Sequence, residues 1–172
     1  MRPAALPATL ALAGLLASCG HTHEPSSAGD PLLDRSPAPT VQQLAVRQVT
    51  GLGPVLTDGA GRALYMFPPD ARAAVRCTGP CAGTWPTFVV SDRGRVDARP
   101  GVRRSLIGTM ADPTSGARVV TYDGQPLYYY AGDLRRGQVH GQGLFADGGP
   151  WYLVNPEGLP VTADTPPSRS IG

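Results

Sequence analysis

Lysine is missing from this 172-residue chain altogether, so all 15 of its cationic side chains are arginines. Against 13 acids they leave a formal net charge of +2. Nucleic-acid binding needs clustered cations well in excess of acids, so that balance excludes a nucleic-acid partner. Charge is sparse at 16% and aromatics are sparse at 6%. The longest apolar run, Ala4 to Ala17, is interrupted by Pro7 and Thr9. It falls short of the roughly 20 residues that a membrane-crossing helix needs. Long helices are excluded too, because 22 Gly and 19 Pro cannot be placed in helix interiors. Only three cysteines are present, an odd number.

The cysteines are explained by the N-terminus. Residues 1–18 have one cation, Arg2, before the apolar run, the proportions of a signal peptide. The run ends in Leu16-Ala17-Ser18-Cys19, which resembles the bacterial lipobox. The resemblance implies cleavage before Cys19, a diacylglycerol thioether on its sulfur and an acyl chain of the palmitate kind on the new amine. Two or more chains anchor firmly where one is marginal. The expected partner is therefore a membrane, reached through the lipid. Gly20 rather than Asp follows the Cys, which implies the outer membrane in a diderm envelope and the outer face of the plasma membrane otherwise.

Residues 19–40 hold Pro25, Pro31, Pro37 and Pro39 among small polar residues and read as a flexible tether. His21 and His23 lack a third ligand nearby and read as solvated. Residues 164–172 read as a disordered tail. The folded domain is expected over 41–163.

That domain contains a duplication, over about 52–97 and 115–161. Leu64-Tyr65-Met66-Phe67-Pro68-Pro69-Asp70 aligns with Leu127-Tyr128-Tyr129-Tyr130-Ala131-Gly132-Asp133. Both read Leu-Tyr-x-aromatic-x-x-Asp, both have a Gly three residues earlier, and both are followed by a Trp heading an apolar run, Trp85 and Trp151. Asp123-Gly124 between two apolar runs predicts a two-residue hairpin turn. The first copy carries a longer turn at Asp58–Gly61. Alternation places Tyr65 and Phe67 on one strand face and Leu64 and Met66 on the other, with Tyr128 and Tyr130 opposite Leu127 and Tyr129 in the second copy. Two apolar faces predict central strands covered on both sides. Further strands are expected at Leu106–Met110 and Arg118–Tyr122, with Pro126 at an edge or bulge. The reading is an all-β domain of two related hairpin-based repeats, about 8 to 10 short strands, and few helices.

The motif pair, Cys77-Thr-Gly-Pro-Cys81 before Trp85-Pro86, and Gly141-Gln142-Gly143 before Trp151 resemble the bacterial lipoproteins with Y-x-[FWY]-x-x-D motifs, also described as secreted repeats of unknown function. The resemblance covers roughly residues 50–158. It implies the repeated architecture and no particular chemistry.

Four constellations could carry chemistry. Cys77 and Cys81 read as a structural disulfide, the default outside the cytoplasm, with a redox pair or metal ligands as rivals. Asp70 and Asp133 read as turn-capping carboxylates, each pairing with the Tyr of its own repeat, with a two-carboxylate acid/base site as rival. His140 and Asp147 lie in the Gly-rich segment 137–149, where His140 reads as a solvated loop residue. Arg93, Arg95, Arg99, Arg103 and Arg104 form a basic cluster interleaved with Asp92 and Asp97, read as a solvated loop. No cofactor, metal or catalytic residue is assigned. The favoured function is a lipid-anchored extracytoplasmic module, non-catalytic, binding an envelope protein, polymer or small ligand. A redox or electron-transfer accessory built on Cys77 and Cys81, or on a bound cofactor, is the alternative.

Overall fold

The computed structural model describes residues 41–70 and 74–162. The expected signal peptide, the whole expected tether 19–40 with Cys19, His21 and His23, and the expected tail at 164–172 lie outside them. Among the described residues no helix is long and apolar enough to cross a membrane.

The domain is all-β, with eleven short strands and a few single helical turns. The first strand, β1 (Val41–Val49), lies N-terminal to the first repeat and is not expected from the pattern. It pairs antiparallel with β2 (Gly53–Asp58) and parallel with β5 (Arg95–Ala98). β3 (Tyr65–Met66) carries the first repeat motif, and β4 (Val89–Val90) follows Trp85. β6 (Ile107–Ala111) and β7 (Arg118–Tyr122) pair antiparallel, within a residue or so of the expected strands. β7 also takes β4 on its other edge and turns into β8 (Gln125–Pro126). The turn is the expected one, for Asp123 and Gly124 have φ of 48° and 77°. Positive φ at both central residues is what a type I′ turn requires. Pro126, which has no N–H to give a ladder, ends β8. The segment read as a Gly-rich loop holds one more hairpin, β9 (Phe145–Ala146) and β10 (Gly149–Pro150). It turns at Asp147-Gly148, again with both φ positive at 54° and 85°. Finally β11 (Tyr152–Leu153) pairs antiparallel with β3.

The two repeats are interleaved in space. Leu56 N–H donates to Val154 O at 2.8 Å, Leu64 N–H to Leu56 O at 3.1 Å, and Val154 N–H to Leu64 O at 3.3 Å. A matching set joins Val120 N–H to Phe88 O at 2.8 Å, Leu127 N–H to Val120 O at 3.0 Å, and Phe88 N–H to Leu127 O at 2.8 Å. In each set the hairpin belongs to one repeat and the Trp-headed segment to the other. The two motif strands meet at equivalent residues, where Tyr65 N–H donates to Tyr128 O at 2.8 Å and Tyr128 N–H to Tyr65 O at 2.9 Å. A pseudo-twofold axis therefore runs between Tyr65 and Tyr128. Each repeat leaves its own hairpin incomplete and fills that of its twin.

Strand alternation then fills two cores. Tyr65, Phe67, Trp85, Tyr128, Trp151 and Leu153 gather on one side. Leu64, Met66, Phe88, Leu127 and Val154 gather on the other, with Leu44, Leu56, Val120 and Tyr122. Both faces of the motif strands are buried, as their apolar alternation requires.

Candidate functional site

The motif side chains converge on the pseudo-twofold axis. Trp85 and Trp151 stack there with ring centroids 3.9 Å apart and planes 1° from parallel. Phe67 stacks on the outer face of Trp151 at 4.4 Å, and Tyr130 lies on the outer face of Trp85 at 4.5 Å. The result is a four-ring column, Phe67–Trp151–Trp85–Tyr130, whose order reads the same from either end in terms of motif position. Tyr65 presents an edge to Trp85 at 5.5 Å, and Tyr128 does the same to Trp151 at 5.1 Å.

Both tyrosine hydroxyls donate to an aspartate, but not within their own repeat. Tyr65 Oη–H donates to Asp133 Oδ2 at 2.6 Å, and Tyr128 Oη–H donates to Asp70 Oδ2 at 2.5 Å. The pairing expected inside each unit is therefore corrected to a crossed one. The reason is the interleaving: the strands that carry the two tyrosines run antiparallel past one another, so each hydroxyl arrives beside the turn that succeeds the other strand. A third link has the same sense, for Tyr129 Oη–H donates to Asp58 Oδ2 at 3.0 Å while Arg62 lies over the Tyr129 ring at 3.7 Å.

Each carboxylate also caps a backbone amide. Asp70 Oδ1 accepts from Arg76 N–H at 2.8 Å, and Asp133 Oδ1 accepts from His140 N–H at 2.9 Å. The capping role expected from sequence is thus present alongside the tyrosine bond. Charge-assisted bonds of this kind are short and roughly twice as strong as neutral ones. Burial, reinforced by Asp133, pushes the Tyr65 phenol above the ordinary tyrosine range. Burial and Asp70 do the same at Tyr128, and burial and Asp58 at Tyr129. Asp70 itself is held above the usual carboxylate range, because burial outweighs its bonds from Tyr128 and Arg76.

The halves differ beyond this point. Asp70 is fully buried, whereas Asp133 faces the ring of His140, whose Nδ1 lies 3.3 Å from Oδ1 and whose side chain is 61% exposed. His140 is therefore a surface residue, as expected, but it is also tied to the motif carboxylate. The indole N–H of Trp151 donates to Ala146 O at 3.3 Å, while that of Trp85 has no acceptor among the described residues. Gly141, next to His140, is pressed against the column: a Cβ there would meet Trp85 at 2.8 Å and Tyr65 at 2.9 Å. Neither Arg76 nor Gly141 is a candidate on sequence grounds, although Gly141 stands in the motif before Trp151.

Cys77 and Cys81 are bonded to each other and buried. The bond spans a turn at Gly79, and Cys81 lies in the one-turn helix α1 (Pro80–Thr84), which is not expected from the sequence. Pro80 starts this helix where its missing N–H costs nothing. The second repeat has no cysteine; in it Gln142 gives its amide N–H to Val161 O at 2.7 Å and accepts from Leu153 N–H at 2.8 Å.

Of the residues singled out, Leu64 and Leu127 face the other core, and the remaining motif residues meet at the axis. The arginine cluster is not the single loop expected: Arg95 opens β5 and pairs with Asp97 at 3.0 Å, Arg104 opens a single helical turn, and Arg103 pairs with Glu157 at 3.5 Å. Asp147 occupies the turn of the β9–β10 hairpin. A shallow groove lies between Ser105–Gly108 and Asp123–Gly124, and it includes none of the motif residues. No cluster of three or more His, Cys, Asp or Glu suited to a metal ion occurs among the described residues.

A family model described as "secreted repeat of unknown function" matches the chain twice, over residues 47–89 and 109–155. No curated protein and no solved structure matches it. The chain belongs to that family of secreted repeats and is accordingly an extracytoplasmic protein.

Proposed function

We propose that this protein is a non-catalytic binding module held at the cell envelope by a lipid on Cys19. One observation carries the non-catalytic part. The carboxylates best placed for acid/base chemistry are each closed by a tyrosine hydroxyl and a backbone amide, and Asp70 is shut off from solvent. A glycosidase pair would instead need two carboxyl groups open to a sugar between them. Thiol exchange on Cys77–Cys81 is disfavoured by the same reasoning, since attack on a disulfide requires access to a sulfur and both residues are buried.

Binding is assigned to the surface that the second repeat adds between Asp133 and Trp151. There two large apolar side chains are left to solvent, Leu134 at 85% exposure and Phe145 at 77%, the highest among the exposed large apolar residues described. Two experiments separate the parts of this reading. Expressed with an alkyne-bearing fatty acid, the full chain takes up label and stays with membranes, and Cys19→Ser loses both. Label that persists in Cys19→Ser removes the anchor. Retention of the purified domain on washed envelope polymer falls at least five-fold in a Leu134→Ser, Phe145→Ser double variant. Equal retention removes the assigned surface.

A further inference from the structure

The column and its hydroxyl pairs are symmetric in position but not in chemistry, and the asymmetry has one direction. At the Trp151 end the outer ring is Phe67, buried and hard to oxidise. At the Trp85 end the equivalent ring is Tyr130, half-buried at the surface. Tyr65 lies edge-on to both partners at that end, 5.5 Å from Trp85 and 6.4 Å from Tyr130. Its hydroxyl is 2.6 Å from the Asp133 carboxylate, whose other oxygen is 3.3 Å from the exposed ring of His140. At the other end Tyr128 has its carboxylate too, but Asp70 is sealed, and among the described residues its other oxygen takes the amide of Arg76. Among the described residues an electron route and a proton route to solvent thus coincide at Tyr65, beside the Trp85 end of the column.

Oxidising a phenol makes its O–H strongly acidic, so the electron leaves readily only where the proton has somewhere to go. A base already within hydrogen-bond reach meets that need. We propose that Tyr65, Trp85, Tyr130, Asp133 and His140 form a proton-coupled electron-donor site that reduces one-electron oxidants at the protein surface. The oxidant approaches at the Tyr130 edge and draws its electron from Tyr65, directly or by way of the Trp85 indole. The Tyr130 O–H bond stays intact, so Tyr130 and Trp85 are unchanged at the end of the step. The Tyr65 O–H bond breaks as the proton moves to Asp133 Oδ2, where a new O–H bond forms. The products are the reduced oxidant, a neutral Tyr65 phenoxyl radical and a protonated Asp133, which His140 connects to water. The substrate class is small one-electron oxidants, organic or inorganic. The site goes beyond the binding role and does not depend on it.

The test uses the folded protein with photo-oxidised tris(bipyridine)ruthenium as the one-electron oxidant, following radical absorption and trapping the product for paramagnetic resonance. The expected product is one tyrosyl radical with an ordered, exchangeable hydrogen bond to its oxygen, seen in wild type by comparing light and heavy water. Tyr65→Phe lowers its yield at least five-fold. Asp133→Asn slows its appearance about ten-fold, and His140→Gln, at an exposed position, slows it two- to five-fold. A tyrosyl radical with no ordered hydrogen bond in wild type overturns the proposal without any variant. So does a yield unchanged in folded Tyr65→Phe, or a rate unchanged in both Asp133→Asn and His140→Gln.

Discussion

The Tyr128–Asp70 pair and the Tyr65–Asp133 pair arise from the same seven-residue motif and make the same two hydrogen bonds, yet Asp70 is sealed while Asp133, its side chain itself buried, touches the exposed ring of His140. The shared part is structural. Each carboxylate ties a turn of its own repeat to the strand of the other, so the two repeats hold one another closed. The unshared part lies in the residues C-terminal to each Asp. The first repeat crosses back through a disulfide and a single helical turn, and the second through His140, Gly141, Gln142 and an extra hairpin. Symmetry is kept where the fold needs it and abandoned on one outer flank.

The largest effect should come from breaking the column at its centre. Either Trp→Ala change removes a fully buried indole and costs about 3–5 kcal/mol, the usual range for such cavities. Trp151→Ala should exceed Trp85→Ala by about 1 kcal/mol, because among the described residues only Trp151 has an acceptor for its N–H. Denaturant unfolding of the two variants measures both numbers.

Gly141→Ala comes next. Its methyl would press on rigid rings of Trp85 and Tyr65, and overpacking of this kind costs about 1–3 kcal/mol. The corresponding position of the first repeat is Cys77, which comes after the amide-donating Arg76 as Gly141 comes after His140. That site carries a side chain already, so Cys77→Ala combined with Cys81→Ala should report the loss of the disulfide rather than strain. A bridge over so short a loop contributes about 2 kcal/mol. Thermal unfolding with and without reductant checks it.

The smallest effects are in pH. Asp70 is raised above the 3.8 of a free aspartate, so the folded state holds its proton where the unfolded state has lost it. Its contribution to stability is therefore present below about 3.8 and lost as pH rises through the folded value. Asp70→Asn should flatten that part of the stability curve. At the alkaline end, Tyr65, Tyr122, Tyr128 and Tyr129 are all raised above an ordinary value near 10. Stability is kept below pH 10 and falls above it, which phenolate absorbance against circular dichroism will show as ionisation coupled to unfolding.

Much of this fold is legible in the amino-acid sequence alone. The duplication, the Asp-Gly hairpin, the two apolar faces of each motif strand and the Cys77–Cys81 bond are all signalled by residue type and spacing. The crossing is not, and for a physical reason. When two copies share a motif, exchanging partners between them leaves every contact type unchanged, so Tyr–Asp within a repeat and Tyr–Asp between repeats look identical in sequence. β1 escapes notice because it precedes the repeat and its Val, Gln and Arg residues show one strongly buried position, Leu44. The β9–β10 hairpin carries its own Asp147-Gly148 signal, obscured by the surrounding glycines. His140 gives no signal of its own, since a lone histidine acquires meaning only from the carboxylate folded against it.

The crossed pairing is the claim on which the rest stands, and a pair of double-mutant cycles tests it most directly. Tyr65→Phe combined with Asp133→Asn should show a coupling of about 1 kcal/mol or more, as expected for a buried charge-assisted hydrogen bond. Tyr65→Phe combined with Asp70→Asn, the pair within one repeat, should be additive to within about 0.5 kcal/mol. A larger coupling for Tyr65 with Asp70 than with Asp133 would contradict the interleaved fold.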